Sequence, residues 1–233
     1  VVSAGNSGAL LAMSIFGLRK LSGISRPALA AVMPTISGEV VALDLGANID
    51  CSSQNLIDFS VMGIVFAQNV LGRPKPRVAF LNVGEEDNKG NSIIQEASRV
   101  MKESHFADFY KGYVEGDKVI SGNFDVVVCD GFSGNVMLKT AEGTAKLCSE
   151  YLKQVFSSSI LGKISYAIGK SSFLGIRKKM DPRKHNGAVL LGLNGIVVKS
   201  HGGTDSVGFA HAVDLATEMS VGNYNELIKN ELD

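Results

Sequence analysis

Three cysteines in 233 residues, Cys51, Cys129 and Cys148, are odd in number, widely spaced and free of any Cys-x-x-Cys pair. That scarcity argues against a disulfide framework or a zinc knuckle and places the chain in a reducing cytoplasm. Net charge is lacking as well, because 23 Lys and Arg balance 23 Asp and Glu. The surface as a whole is therefore not built to neutralise nucleic-acid phosphates, no nucleic-acid partner is expected, and any charged site must be local. No uninterrupted apolar run approaches the roughly 20 residues that span a bilayer. The N-terminus also lacks the charged-then-apolar order of a signal peptide. Low-complexity tracts and domain linkers are missing too. The sequence opens "VVSAGNSG", with no initiator Met and straight into what reads as a strand end and a loop, so residues upstream are expected to be absent.

What is present is one arrangement, used five times. A β-branched apolar run is followed by a short tip rich in Gly, Asn and Asp, and then by residues at helical spacing. It occurs in "VVSAGNSGALLA", "VVALDLGANIDCSSQNLI", "VAFLNVGEEDNKGNSIIQEA", "VVVCDGFSGNVMLKT" and "IVVKSHGGTDSVGFAHA". Runs that are apolar throughout fit strands covered on both faces, and the intervening helices fit parallel crossovers, so a doubly wound α/β sheet is expected. Leu56, Phe59, Gly63, Phe66 and Val70 form one helical stripe, ended by Gly72, Pro74 and Pro76. Leu138, Ala141, Ala145, Cys148, Leu152 and Val155 form another, which assigns Cys148, with Cys129, to the core.

In an open parallel sheet, ligands bind where strand ends converge with helix N-termini, whose free N–H groups suit an anion. The tips carry Asn6, Asp50, Lys89, Asp130, Asn135, His201 and Asp205. Each has a plainer explanation: Gly and Asn serve turns and caps, a loop Lys is usually solvated, and His201 is as readily a structural hydrogen-bonding group as a general base. "NVGEEDNKGN" is the most polar tip, and its Lys89 suits a phosphate or a developing oxyanion. No second carboxylate cluster accompanies Glu85, Glu86 and Asp87, so no metal is expected. Walker A, Gly-x-Gly-x-x-Gly and Gly-x-Ser-x-Gly patterns are all missing, Ser133 falling one residue out of place. Cys51, before a helix, reads as structural because no His is close in sequence to serve as its base.

From Tyr151 through Met180 there is no acidic residue, while Lys153, Lys163, Lys170, Arg177, Lys178 and Lys179 alternate with apolar side chains. A basic amphipathic helical hairpin over 151–185 is expected. It suits an anionic membrane interface, or else a hairpin whose apolar residues pack against each other or against a second subunit.

Taken in order, "SAGNSGALLA", "RPALAAVMPT", "LDLGANIDC", "LNVGEEDNKGN", "VVVCDGFSGNVMLKTAEG", "HNGAVLLGLNG" and "SHGGTDS" closely resemble the bacterial acyl-carrier-protein:phosphate acyltransferase family of phospholipid synthesis. The family's N-terminal strand and glycine-rich Asp motif are not found. The resemblance implies one α/β domain over 1–233, a three-layer sandwich like isocitrate and isopropylmalate dehydrogenases, lacking its N-terminal part and with the helical hairpin protruding. It implies transfer of a fatty acyl group from the carrier-protein thioester to inorganic phosphate, with no cofactor and no metal. It also implies a homodimer, peripheral membrane contact, here through 156–180, and a downstream glycerol-3-phosphate acyltransferase that consumes the product. Phosphate is then itself the nucleophile, and the missing triad ceases to be a difficulty. On this reading Lys89 meets phosphate or oxyanion charge. Asn135 orients the carbonyl with N–H groups around Gly134, Asn6 and Asp130 organise the pocket, and Asp50 and His201 are further contacts. A nicotinamide-dependent dehydrogenase of the same fold and a membrane-associated scaffold without activity are the alternatives.

Overall fold

The computed structural model describes residues 1–179, 181, 183 and 186–232. The chain begins with β1 (Val2–Ser3), α1 (Ser7–Leu18), β2 (Ala28–Thr35), β3 (Gly38–Leu43) and α2 (Ser53–Asn69). It continues through β4 (Val78–Leu81), α3 (Ser92–Glu103), β5 (Tyr110–Val114), a short 3-10 turn at Val119–Ser121 and β6 (Val126–Val128). Then come α4 (Gly131–Ser157), α5 (Ile160–Lys179), β7 (Ala188–Leu191), β8 (Val198–Lys199), α6 (Ser206–Val221) and α7 (Tyr224–Leu232). Each of the five expected strand–tip–helix units is present. All five of their helices are capped by a tip side chain: Asn6 accepts from Ala9 N–H, Ser52 from Asn55 N–H, Asn91 from Ile94 N–H, Asp130 from Ser133 N–H and Asp205 from Gly208 N–H.

The strands form one eight-stranded sheet in the order β1-β8-β7-β2-β3-β6-β4-β5. It is mixed, where a parallel sheet was expected. β3, β6, β4 and β5 are parallel, and so are β1 and β8, but β2 runs antiparallel to both β3 and β7, and β7 antiparallel to β8. The reason is local: only Ile36 and Ser37 separate β2 from β3, and a connection that short can join only antiparallel neighbours. The directions have a consequence for the site. The carboxyl ends of β3, β6 and β4 point one way, and those of β1 and β8 the other, so the five tips do not share one rim.

The core is built around α2. Leu56, Phe59 and Phe66 are buried as the spacing predicts, and most of the rest of the helix is buried with them. Gly63 lets it lie directly on the sheet, since a Cβ there would sit 2.6 Å from Val126 and 3.1 Å from Leu43. Tyr224 of α7 closes the far side, donating its hydroxyl to Met62 O at 2.8 Å.

The chain divides into two compact units, Val1–Asn135 with Arg183–Asp233, and Val136–Pro182. The second comprises most of α4 together with α5. A turn at Ser158 and Ser159 brings Phe156 against Tyr166, ring centroids 5.8 Å apart. The helical spacing of the α4 stripe is borne out, but its burial is not. Every residue from 139 to 155, Cys148 included, is exposed. Residues 180, 182, 184 and 185 of the segment read as a hairpin lie outside the described residues.

Candidate functional site

At the exit of β3 the chain is organised by an acid that sequence reasoning passed over. Asp44 follows a cis peptide after Leu43 and is fully buried. Its Oδ1 accepts from the backbone N–H of Leu29 (2.9 Å), Gly46 (3.1 Å) and Ala47 (2.9 Å). Its Oδ2 accepts from Asn48 N–H (2.7 Å) and Asn48 Nδ2 (2.8 Å). Burial pulls the carboxyl up from the usual range against the downward pull of these donors, with a net rise. Asn48 extends the knot, donating Nδ2 to Pro27 O at 2.7 Å and accepting Gly131 N–H at 2.7 Å. One carboxylate thus fastens the β3 tip to the start of β2 and to the first turn of α4. The signal available in the sequence was the pair Asp44 and Asn48 around Gly46 in "LDLGAN".

The opening of α4 is moulded onto that knot. A Cβ on Gly131 would lie 2.5 Å from Asn48 O, and one on Gly134 would collide with Asp44 O and sit 2.8 Å from Cys129 Sγ. Asp130 caps the helix, its carboxylate accepting from Ser133 N–H (2.7 Å) and Ser133 Oγ (3.0 Å). Its carbonyl takes the Gly134 N–H at 2.9 Å, so two of the N–H groups expected to face a ligand are already engaged. Asn135 rests against Gly46, where a Cβ would be 3.4 Å from Asn135 Nδ2 and where φ is +130°. Asp50 has an exposed side chain and gives its carbonyl to Arg26 Nη1 at 3.1 Å. Arg26 is a cation at this rim that was not foreseen.

The neighbouring strand, β4, adds the Lys89 loop to the same rim. Glu85 pairs with Lys118 (3.0 Å) and Asp87 with Lys102 (2.5 Å), while Gln95 Nε2 gathers the carbonyls of Asn88, Lys89 and Gly90. Lys89 lays its aliphatic stem over Gly84, where a Cβ would be 2.9 Å from Lys89 Cγ. Among the described residues its ammonium has no hydrogen-bond or ion-pair partner.

Asn6 and His201 stand apart, on the tips of β1 and β8 that point the other way. Asn6 is the cap of α1. The His201 backbone donates to Asn186 Oδ1 at 2.9 Å, and its Nδ1 accepts Gly203 N–H at 3.1 Å, the structural alternative weighed for it. Buried Asn186 holds that tip by donating Nδ2 to Ser200 Oγ (2.8 Å) and Gly208 O (2.7 Å). Two hollows of about 480 and 650 Å³ are lined by neither Lys89, Asp130, Gly134 nor Asn135. Two thiols are held neutral: burial, then the Asp44 charge, pushes Cys51 up to about 11 and Cys129 well above its usual value.

Residues 1–227 match the model of a family described as fatty acid synthesis protein. The chain belongs to that family. Among curated relatives in it, a phosphate acyltransferase of Paramagnetospirillum magneticum is 52% identical over 233 residues, covering 100% of this chain and 66% of the relative. One of Rhodospirillum centenum is 52% identical over 232 residues, covering 100% and 65%. The chain therefore spans slightly less than two thirds of these relatives' length. Among solved structures, a phosphotransacetylase from Streptococcus pyogenes superposes with a TM-score of 0.58 at 17% identity, covering 98% of this chain and 62% of that one. A phosphotransacetylase from Staphylococcus aureus gives 0.55 at 16%, covering 94% and 62%. At such identities the likeness is one of fold. For this member of the fatty acid synthesis protein family it supports a mixed α/β architecture of the phosphotransacetylase kind.

Proposed function

We propose that this chain carries the core of an acyltransferase that moves a fatty acyl group from an acyl-carrier-protein thioester to inorganic phosphate. The product is an acyl phosphate for phospholipid synthesis. The observation that carries the reading is the rim where Asp130, Gly134 and Asn135 sit on the Asp44 knot beside the Lys89 tip. The relatives named phosphate acyltransferase support it.

In the proposed reaction a phosphate oxygen attacks the thioester carbonyl, the tetrahedral intermediate collapses with cleavage of the carbon–sulfur bond, and the departing thiolate takes the proton that phosphate gives up. The protein needs to align the two substrates and stabilise the oxyanion. Lys89 supplies positive charge for phosphate and Asn135 Nδ2 a donor for the carbonyl oxygen. Asp130 and Gly134 hold the helix start in place, and Asp50 lies at the edge. Asn6 and His201, on the other rim, are left out of this pocket. No cofactor is invoked.

The finer architecture goes with the proposal. It is a doubly wound, three-layer sandwich like that of isocitrate and isopropylmalate dehydrogenases, one α/β domain with a helical hairpin inserted. Further proposals are a homodimer, a cytoplasmic enzyme held peripherally at the membrane, and supply of product to a glycerol-3-phosphate acyltransferase. Within the described residues no helix is long and apolar enough to cross a membrane. Exposed Ile160, Leu161, Ile164 and Ile168 with Lys163 and Lys170 support contact through 156–180 instead. Each Lys near an anionic surface contributes about 1 kcal/mol, so the Lys163→Glu, Lys170→Glu variant is expected to sediment with anionic vesicles at least ~10-fold more weakly. Equal sedimentation of variant and wild type refutes that contact.

The test of the activity is to incubate full-length protein with acyl-carrier-protein thioester, with and without phosphate, and trap acyl phosphate with hydroxylamine. Thioester loss that does not depend on phosphate refutes the reading. Loss of one oxyanion-stabilising group costs roughly 10²–10³-fold, and Lys89→Ala is expected to fall in that range in kcat/KM for phosphate. A folded variant within twofold of wild type removes Lys89 from its role.

A further inference from the structure

Beneath the Lys89 loop lies a hydrogen-bond donor with nothing to bind. Asn82 follows β4, is 8% exposed, and donates its backbone N–H to Val114 O at 2.9 Å. Its Oδ1 accepts the Val83 N–H at 2.9 Å. Its Nδ2 is buried without a partner among the described residues. Turning the amide over would set NH2 against the Val83 N–H, so the carboxamide cannot satisfy both ends in this environment. A buried amide donor left unpaired is rare and destabilising, and its persistence calls for a state in which an acceptor arrives.

The surroundings say which acceptor. Asn82 stands at the carboxyl end of β4, and the next strand, β6, leads to Asp130, Gly134 and Asn135. The segment folded over it is 83–90. Gly90 (φ +85°) lies so close that a Cβ there would sit 3.0 Å from Nδ2, leaving room for glycine alone. Two of the three acids of this segment, Glu85 and Asp87, pair with Lys118 and Lys102 in exposed ion pairs, which hold it only weakly. Lys89, its one cation, has no partner among the described residues. An unsatisfied donor under a loop that is held by exposed ion pairs at its surface and by Gln95 at its end, and that carries an unspent positive charge, is a match for an oxyanion.

We propose that Asn82 is a phosphate-binding residue: when the 83–90 segment shifts, Nδ2 donates to a phosphate oxygen whose charge Lys89 offsets. This rests on the acyl-transfer reading and adds to it the donor that fixes phosphate and the segment that moves. Asn82→Leu, nearly the same size, removes the orphan donor. It also takes the acceptor from the Val83 N–H, so the melting temperature is expected to stay near that of wild type, while the KM for phosphate rises at least ~10-fold and the KM for the thioester stays within twofold. A defect confined to the phosphate KM at near wild-type stability is something a purely structural role does not produce. If Asn82→Leu fails to fold, Asn82→Asp keeps the acceptor for Val83 and places a carboxylate where the donor was, and the same rise is expected. A phosphate KM within twofold of wild type in the folded variant overturns the proposal, whatever kcat does. A second measurement separates this from failure of the acyl-transfer reading. Inorganic phosphate alone is expected to change backbone hydrogen exchange in 83–90 of the wild type and not of the variant. No change in the wild type overturns the Asn82 proposal, whereas a wild type that responds but makes no acyl phosphate overturns only the acyl-transfer reading.

Discussion

Gly134→Ala is expected to lower stability by about 3 kcal/mol or more, the upper end of overpacking costs, which for a chain of this size is roughly 6–12 °C in melting temperature. The added methyl would meet the Asp44 carbonyl oxygen and the Cys129 sulfur. The first of these is backbone already tied down by five hydrogen bonds to the Asp44 carboxylate, and Cys129 is buried between them. Neither can retreat cheaply in a close-packed interior, so the first turn of α4 must lift. Asn135 would lift with it, and a displacement near 1 Å at a catalytic group costs about 10²-fold in rate. Thermal melting and the acyl phosphate assay check the two halves. The same substitution at Gly143, where a Cβ meets nothing within 4 Å, is the control expected to leave both unchanged. A Gly134→Ala protein that melts with the wild type would mean the helix start is not seated on Asp44 as described.

Asp44→Asn should destabilise by about 3–5 kcal/mol, because one side of the carboxylate becomes an NH2 group facing donors. Oδ1 can keep its three partners in the variant. The Oδ2 position cannot, so Asn48 N–H and Asn48 Nδ2, now at 2.7 and 2.8 Å, lose an ionised acceptor, and each such bond is worth roughly 1.5–3 kcal/mol. Relief from burying a charge offsets part of this, which is why the lower end of the range stands. Chemical denaturation at neutral pH reads the difference. Since Asn48 also holds Pro27 O and Gly131 N–H, activity is expected to fall further than the lost stability explains. A stable, fully active Asp44→Asn protein would show that the β3 knot organises nothing.

The first prediction concerns a contact between residues 90 positions apart, Gly134 and Asp44, and the second reaches through Asn48 to Gly131, 83 positions away; at such separations the limits of reading the sequence lie. Strand, tip and helix follow one another within about 20 residues, and the burial of α2 could be read from Leu56, Phe59 and Phe66 alone. Lys89 and Asn135 could be placed on strand tips for the same reason, whereas the pairing of their strands, β4 and β6, came from the structure. Asp44 follows an apolar run, and nothing local says that the Leu29 N–H will reach it from 15 positions back or that Asn48 will carry its hold to Gly131. Asn6 and His201 were grouped with the others because a tip looks the same whichever way its strand runs. Asn82 read as one polar residue among several in "NVGEEDNKGN". Its unpaired Nδ2 exists only once Gly90 folds back over it.

Periodicity, caps and the order of motifs were thus decided by the amino-acid sequence on its own. They depend on neighbours one to four positions away, whose steric and hydrogen-bonding preferences act before any long-range contact forms. Strand direction, the fastening of β3 to α4 and the division of the tips between two rims came from the tertiary structure alone. They depend on which distant backbone groups meet an acceptor such as the Asp44 carboxylate, and a buried polar group takes the partners that the packed chain brings to it.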